Sequence, residues 1–161
     1  MRERNGRDAL ARIKLYSVDE AERTLPLVKR IVRDIMKHYD DHENRLIERK
    51  KLPLTPASGS TAEERAFQLE REMDVSREEV MRCQGELAAM GIELKDYHTG
   101  LLDFYSRYDG RIVFLCWKND EDSLSHWHDL QAGFQGRQSI TPANRQRFKG
   151  MEPGQKFVDV V

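Results

Sequence analysis

Two runs of apolar residues, each advancing by alternating steps of three and four, flank the segment LPLTPASGS. That arrangement restricts what this chain can fold into more than any other feature. In the first run Leu25, Val28, Val32, Ile35, Tyr39, His42 and Leu46 fall on one stripe of a helix; in the second, Ala66, Leu69, Met73, Ser76, Val80, Cys83, Leu87 and Met90 do the same. The intervening prolines, glycine and small hydroxyl residues cannot continue either helix. The helices must therefore fold back antiparallel if each stripe is to cover the other. The spacing predicts a long antiparallel helical hairpin of coiled-coil type over residues 17–91. Ser17 to Glu20 reads SVDE, a capping box that opens the first helix. Gly91 stands where a left-handed residue commonly ends the second. Pro26 is expected to divide the first helix into a short piece and a longer one from near Leu25, with a bend between them.

His42 and Ser76 dilute the stripes, and a two-helix hairpin leaves much apolar surface wet. Charged residues make up 34% of the chain and hydrophobic ones 39%, which favours an elongated, solvent-rich shape. The rest of the chain or a second copy must cover what remains, and a homodimer would extend the hairpin into a bundle of four helices.

After Gly91 the apolar period changes to two. LLDFYSR and RIVFLCWK flank Tyr108-Asp109-Gly110, a tight-turn signal because the turn needs positive φ. Ile112, Phe114 and Cys116 should share one face of the second strand, with Val113, Leu115 and Trp117 on the other. Both faces are apolar, so this strand should be central. SLSHWHDL supplies a third strand. The expected fold is α+β: a single domain over residues 1–140, with the hairpin at 17–91 and a small antiparallel β-sheet of two to three strands within 92–140. Residues 141–161 read as an extended C-terminal tail, ordered only if it docks on something.

Lys and Arg total 27 against 28 for Asp and Glu, so net charge steers the chain toward neither nucleic acid nor anionic lipid. The N-terminal MRERNGRDALARIK is basic without the apolar run of a secretory signal, and no segment has the length needed to span a bilayer. The expectation is a cytoplasmic protein without a membrane partner. Cys83 and Cys116 form no CxxC pair and are expected to be free thiols.

Candidate chemistry concentrates at SHWH. His126 and His128 share a strand face, and Asp103 and Cys116 on neighbouring strands could complete a mixed N/S/O ligand set suited to zinc or a related divalent metal. A water-activating enzyme would add Glu121 or Asp129 as general base. The alternative is a hydrogen-bonded His128 in a semi-polar core. Cys116, His128 and Asp103 are also the residue types of a nucleophilic triad, against which stands the common role of cysteine as a small buried hydrophobe. GFQGR could gather an anion on Arg137, or its glycines could take left-handed conformations while Arg137 pairs with Asp103, Asp129 or Glu121. HYDDH offers His38 and His42 at helical spacing, more simply read as surface or interface histidines.

Taken together, YSVDEAERTLPLV, GLLDFYSRYDGR, FLCW and WHDLQAGFQGRQSI resemble the domain of unknown function 2203 family, small bacterial proteins without an assigned activity. The resemblance runs over roughly residues 16–140 and includes Asp103, Gly110, Cys116, Trp117, Trp127, His128, Gly133, Phe134 and Arg137; His126 falls outside the motif. It implies no catalytic assignment. The expected function is a dimeric binding or scaffold protein whose β region carries a polar pocket of Asp103, Trp117, Trp127, His128 and Arg137. The alternative is a small zinc-dependent enzyme built on His126 and His128.

Overall fold

A computed structural model describes residues 12–159. The basic N-terminal stretch noted above lies, up to residue 11, outside the described residues. In chain order the elements are β1 (Arg12–Ile13), α1 (Val18–Lys50), α2 (Thr61–Ala89), β2 (Ile92–Asp96), β3 (Leu101–Tyr108), β4 (Arg111–Trp117), β5 (His126–Asp129), β6 (Gln138–Ser139), β7 (Phe148–Lys149) and β8 (Val158–Asp159).

The hairpin forms as its apolar spacing requires. The Ser17 hydroxyl accepts from the Glu20 amide at 3.1 Å while the Glu20 carboxylate accepts from the Ser17 amide, closing the capping box. Ser60 caps α2 by accepting from the Glu63 amide, while the Glu63 carboxylate accepts from the Gly59 amide instead of closing a box. Met90 and Gly91 end α2, with Gly91 at φ 72°. Ion pairs between Arg49 and Glu70 and between Arg45 and Glu72 run in opposite residue order on the two helices, which fixes them antiparallel. Pro26 does not divide the first helix, contrary to expectation: it lies inside a single α1. Ala21 and Leu25 before it, and Val28, Ile31 and Val32 after it, are all buried in the core cluster. Packing on both sides of the proline offsets the roughly 3 kcal/mol that it costs a helix interior.

The sheet carries more strands than the two to three expected. β2 through β6 lie side by side in sequence order, each pair antiparallel, and β7 adds to β3, making six; β1 and β8 pair separately. Most of the additional strands are two residues long, too short for any apolar period to show. The Asp109-Gly110 turn has both residues at positive φ, 48° and 81°, as a tight hairpin demands. β4 is central, between β3 and β5. Its Val113, Leu115 and Trp117 enter the core cluster with Val28 and Val32 of α1 and Leu87 of α2, while Ile112, Phe114 and Cys116 face away from the helices. The segment after residue 140 docks on its own chain: Phe148 is buried against Tyr108 and Trp127, with ring centroids 4.6 and 5.6 Å away.

Candidate functional site

The sheet face turned from the helices holds a small, buried polar cluster. On β3, Leu102 and Phe104 point into the helix-facing core, so strand alternation sends Asp103 to the opposite face. Register places Asp103 directly across from Cys116, and Cys116 across from His126; His128 lies across from Phe114. Asp103 and His128 thus sit two strands apart with the short Cys116 side chain in the row between them. The imidazole and carboxylate meet, with His128 Nε2 at 3.2 Å from Asp103 Oδ1. Ligand atoms of Asp103, Cys116 and His128 all lie within 4.8 Å of one another. The three residues are 3%, 0% and 3% exposed.

Hydrogen bonding fixes the imidazole's tautomer. His128 Nδ1 lies 2.8 Å from the Asp129 carbonyl, which can only accept, so Nδ1 carries hydrogen and donates. Nε2 then faces a carboxylate oxygen, and both would be bare acceptors unless a positive charge or a proton lies between them. Burial pushes the Asp103 carboxyl above its ordinary value, opposed by the charge of His128 and by hydrogen bonds from Cys116 and His128. Burial, with the Asp103 charge added, pushes the Cys116 thiol up to about 12.

These contacts do not wire a nucleophilic triad. Such a triad places the base between nucleophile and acid, whereas here both imidazole nitrogens are engaged elsewhere and Asp103 stands between the thiol and the histidine. A fully buried thiol also lacks a route to substrate.

Of the expected five-residue pocket, the structure brings Asp103 and His128 together and leaves the others apart. Trp117 and Trp127 belong to the helix-facing core cluster because they alternate with Cys116 and with the two histidines. Trp117 Nε1 donates to the Glu121 carbonyl at 2.9 Å; Trp127 packs with its centroid 4.8 Å from that of Tyr108. Arg137 donates to the Glu121 carboxylate at 2.6 Å and to the Cys116 carbonyl at 3.2 Å, and its guanidinium lies over Phe134. Its Nε is buried without a partner among the described residues. Gly133 is left-handed at φ 61°; Gly136 is not, and is instead a close approach, since a Cβ there would meet the Ala132 Cβ at 2.5 Å.

His126 shares the face of His128 but stands outside the 4.8 Å cluster. Its Nδ1 lies 3.0 Å from Ser125 Oγ and 3.3 Å from Glu121 Oε2. Glu121 also accepts from the Lys118 amide at 2.7 Å, and Asp129 pairs with Arg111 at 2.9 Å, so both expected general bases are occupied. In HYDDH, His38 and Asp41 line a groove between the helices, and His42 Nε2 is buried without a partner among the described residues.

Lys95, Tyr105 and Glu93 complete the face; Glu93 and Lys95 are not apparent from the sequence because β2 is not, whereas Tyr105 follows Asp103 by two residues on β3 and shares its face. Lys95 lies 5.0 Å over the Phe114 ring, Tyr105 packs 4.6 Å from it, and Tyr105 donates to Glu93. The Lys95 charge favours ionised Asp103.

Comparison with family models matches residues 14–140 to a family described as Uncharacterized conserved protein (DUF2203). Neither the curated proteins nor the solved structures return a match.

Proposed function

We propose, for a chain that belongs to the DUF2203 family, a metal-binding role in which Asp103, Cys116 and His128 hold a zinc-like divalent ion. One observation carries the reading: with Nδ1 committed to the Asp129 carbonyl, Nε2 is the ring nitrogen turned toward a carboxylate oxygen, and a thiol lies within the same 4.8 Å cluster. Metal-ligating histidines typically donate their other N–H to a carbonyl or carboxylate, as His128 does. A mixed N/S/O set suits zinc.

Charge balance supports the same reading. Without an ion, one proton serves His128 and Asp103 together and the buried thiol keeps its own, so the cluster carries no net charge. A dication would displace the shared proton and the thiol proton, leaving imidazole, carboxylate and thiolate around it. Two protons leave and the cluster stays neutral, which a buried site requires. Full burial of all three ligands favours a structural or sensing ion over hydrolytic chemistry, which needs an open position reachable by substrate.

The test is elemental analysis and competitive zinc titration of untagged protein. One tight equivalent is expected, lost in His128→Ala and Cys116→Ser. A wild-type affinity no higher than that of these variants would refute the role.

A second reading, a dimeric scaffold, draws support from apolar side chains left uncovered on the hairpin: Ile47, Phe67 and Val75 are 54%, 62% and 59% exposed. Phe67 and Val75 line a groove of about 770 Å³ that also carries Asp41, Glu64 and Glu72 beside Arg45 and Arg71, so a second copy approaching antiparallel would present both signs of charge. Light scattering at micromolar concentration should give the dimer mass, reduced to the monomer by Phe67→Glu. A wild-type monomer would end this reading.

A further inference from the structure

We propose that His126 is the fourth ligand of the Asp103, Cys116 and His128 site, reaching the ion by a rotamer change from its place beside Ser125 and Glu121. The inference rests on the metal-binding reading above and adds to it the residue that closes the site.

Three protein ligands leave a tetrahedral ion one short, and structural zinc sites close with four. His126 is placed to supply the missing one. It precedes His128 by two residues on β5, so it occupies the same face, and it stands directly opposite Cys116 in the β4 register. Opposed residues on antiparallel strands have Cβ atoms about 5 Å apart, within reach of an imidazole that changes rotamer.

The place beside Ser125 and Glu121 is easy to leave. The His126 side chain is 34% exposed, against 4% for both Asp103 and His128. Its Nδ1 holds on to Ser125 and to one oxygen of Glu121. Glu121 does not depend on that contact: its other oxygen accepts from the Lys118 amide and from Arg137, and Arg137 is further anchored on the Cys116 carbonyl. When His126 swings in, the loop before β5 keeps its remaining ties. His126 is also the least buried of the four, so it can meet an ion at the solvent boundary before turning inward with it.

Cobalt(II) added to the full-length protein separates this inference from the reading beneath it. A thiolate-to-cobalt charge-transfer band in the near ultraviolet reports Cys116, and intense visible d–d absorption reports four-coordinate geometry. Wild type is expected to show both. His126→Gln should melt like wild type and keep the near-ultraviolet band, but lose most of the visible intensity and bind zinc at least about tenfold more weakly. If His126→Gln matches wild type in visible intensity and binds zinc within about twofold, His126 is not a ligand and the three-residue site stands alone. If wild type itself shows no charge-transfer band, the metal-binding reading falls and takes this inference with it.

Discussion

His128 meets the Asp103 carboxylate through Nε2 at 3.2 Å while its Nδ1 is committed to the Asp129 carbonyl, so the two buried side chains are joined through a single shared positive charge or proton. Removing one partner strands the other in a face where both are 3% exposed. In protein kept free of metal, Asp103→Leu and His128→Phe should each cost about 1–3 kcal/mol alone, because each leaves the other polar group buried without its partner. Replacing both, as Asp103→Leu with His128→Phe, should recover much of that loss. Urea unfolding in the presence of a chelator measures the cycle; additive losses in the double variant would show that the two side chains are not coupled.

Both cysteines are buried, Cys83 at 1% and Cys116 at 0% exposed, and burial raises both thiols. Neither should react with an aromatic disulfide reagent in native, metal-free protein except through opening of the fold. Two thiols should titrate at once in denaturant. Rapid modification of Cys116 under native conditions would contradict the closed character of the cluster and, with it, the case against a catalytic thiol.

How much of this was readable beforehand follows from the length of each signal. The hairpin declares itself because its stripes persist over many turns, and β3 and β4 because Asp109-Gly110 separates two alternating runs. Strands of two residues such as β6 and β7 carry no period, so the true width of the sheet is invisible. Pro26 misleads because its local cost is legible and the burial of its neighbours is not. At the site, Asp103, Cys116 and His128 are identifiable by residue type and strand face. The strand period that groups them also excludes Trp117, which adjoins Cys116, and Trp127, which lies between the histidines. The Glu121 and Arg137 pairing depends on a loop whose path no pattern dictates.

Tyr16 links the entry of α1 to the end of α2, its hydroxyl donating to the Met90 carbonyl and its ring packing edge-on to Phe104 at 5.2 Å. Burial, with the nearby Glu20 charge, raises the phenol above its ordinary value. A folded value above the unfolded one means that this contribution is fully present below about pH 10 and is lost as pH rises through the folded value, since only the unfolded chain ionises in that window. Tyr16→Phe should cost about 1 kcal/mol near neutrality through the lost hydrogen bond. The gap between wild type and variant should then narrow above about pH 10. Denaturant melts across pH 7 to about 11 check both; a gap that widens at alkaline pH would reverse the sign argued here.

The family match ends at residue 140, yet Phe148 is 1% exposed and fills space between Tyr108 and Trp127. Two kinds of contact tie this later segment to the rest. Phe148 contributes apolar burial, whereas Arg145 reaches Asp19 and Glu22 in the first turns of α1, at 2.6 and 2.7 Å, from a partly exposed position. Exposed ion pairs contribute at most about 1 kcal/mol, while truncating a buried phenylalanine costs about 3–5 kcal/mol. Phe148→Ala should therefore destabilise the protein several times more than Arg145→Ala, and ending the chain after Ile140 should cost at least as much as Phe148→Ala. Thermal and urea unfolding of the three variants rank them. If the shortened chain unfolds with wild-type stability, residues 141–159 are an appendage, and the Tyr108 and Trp127 rings need no cover from Phe148.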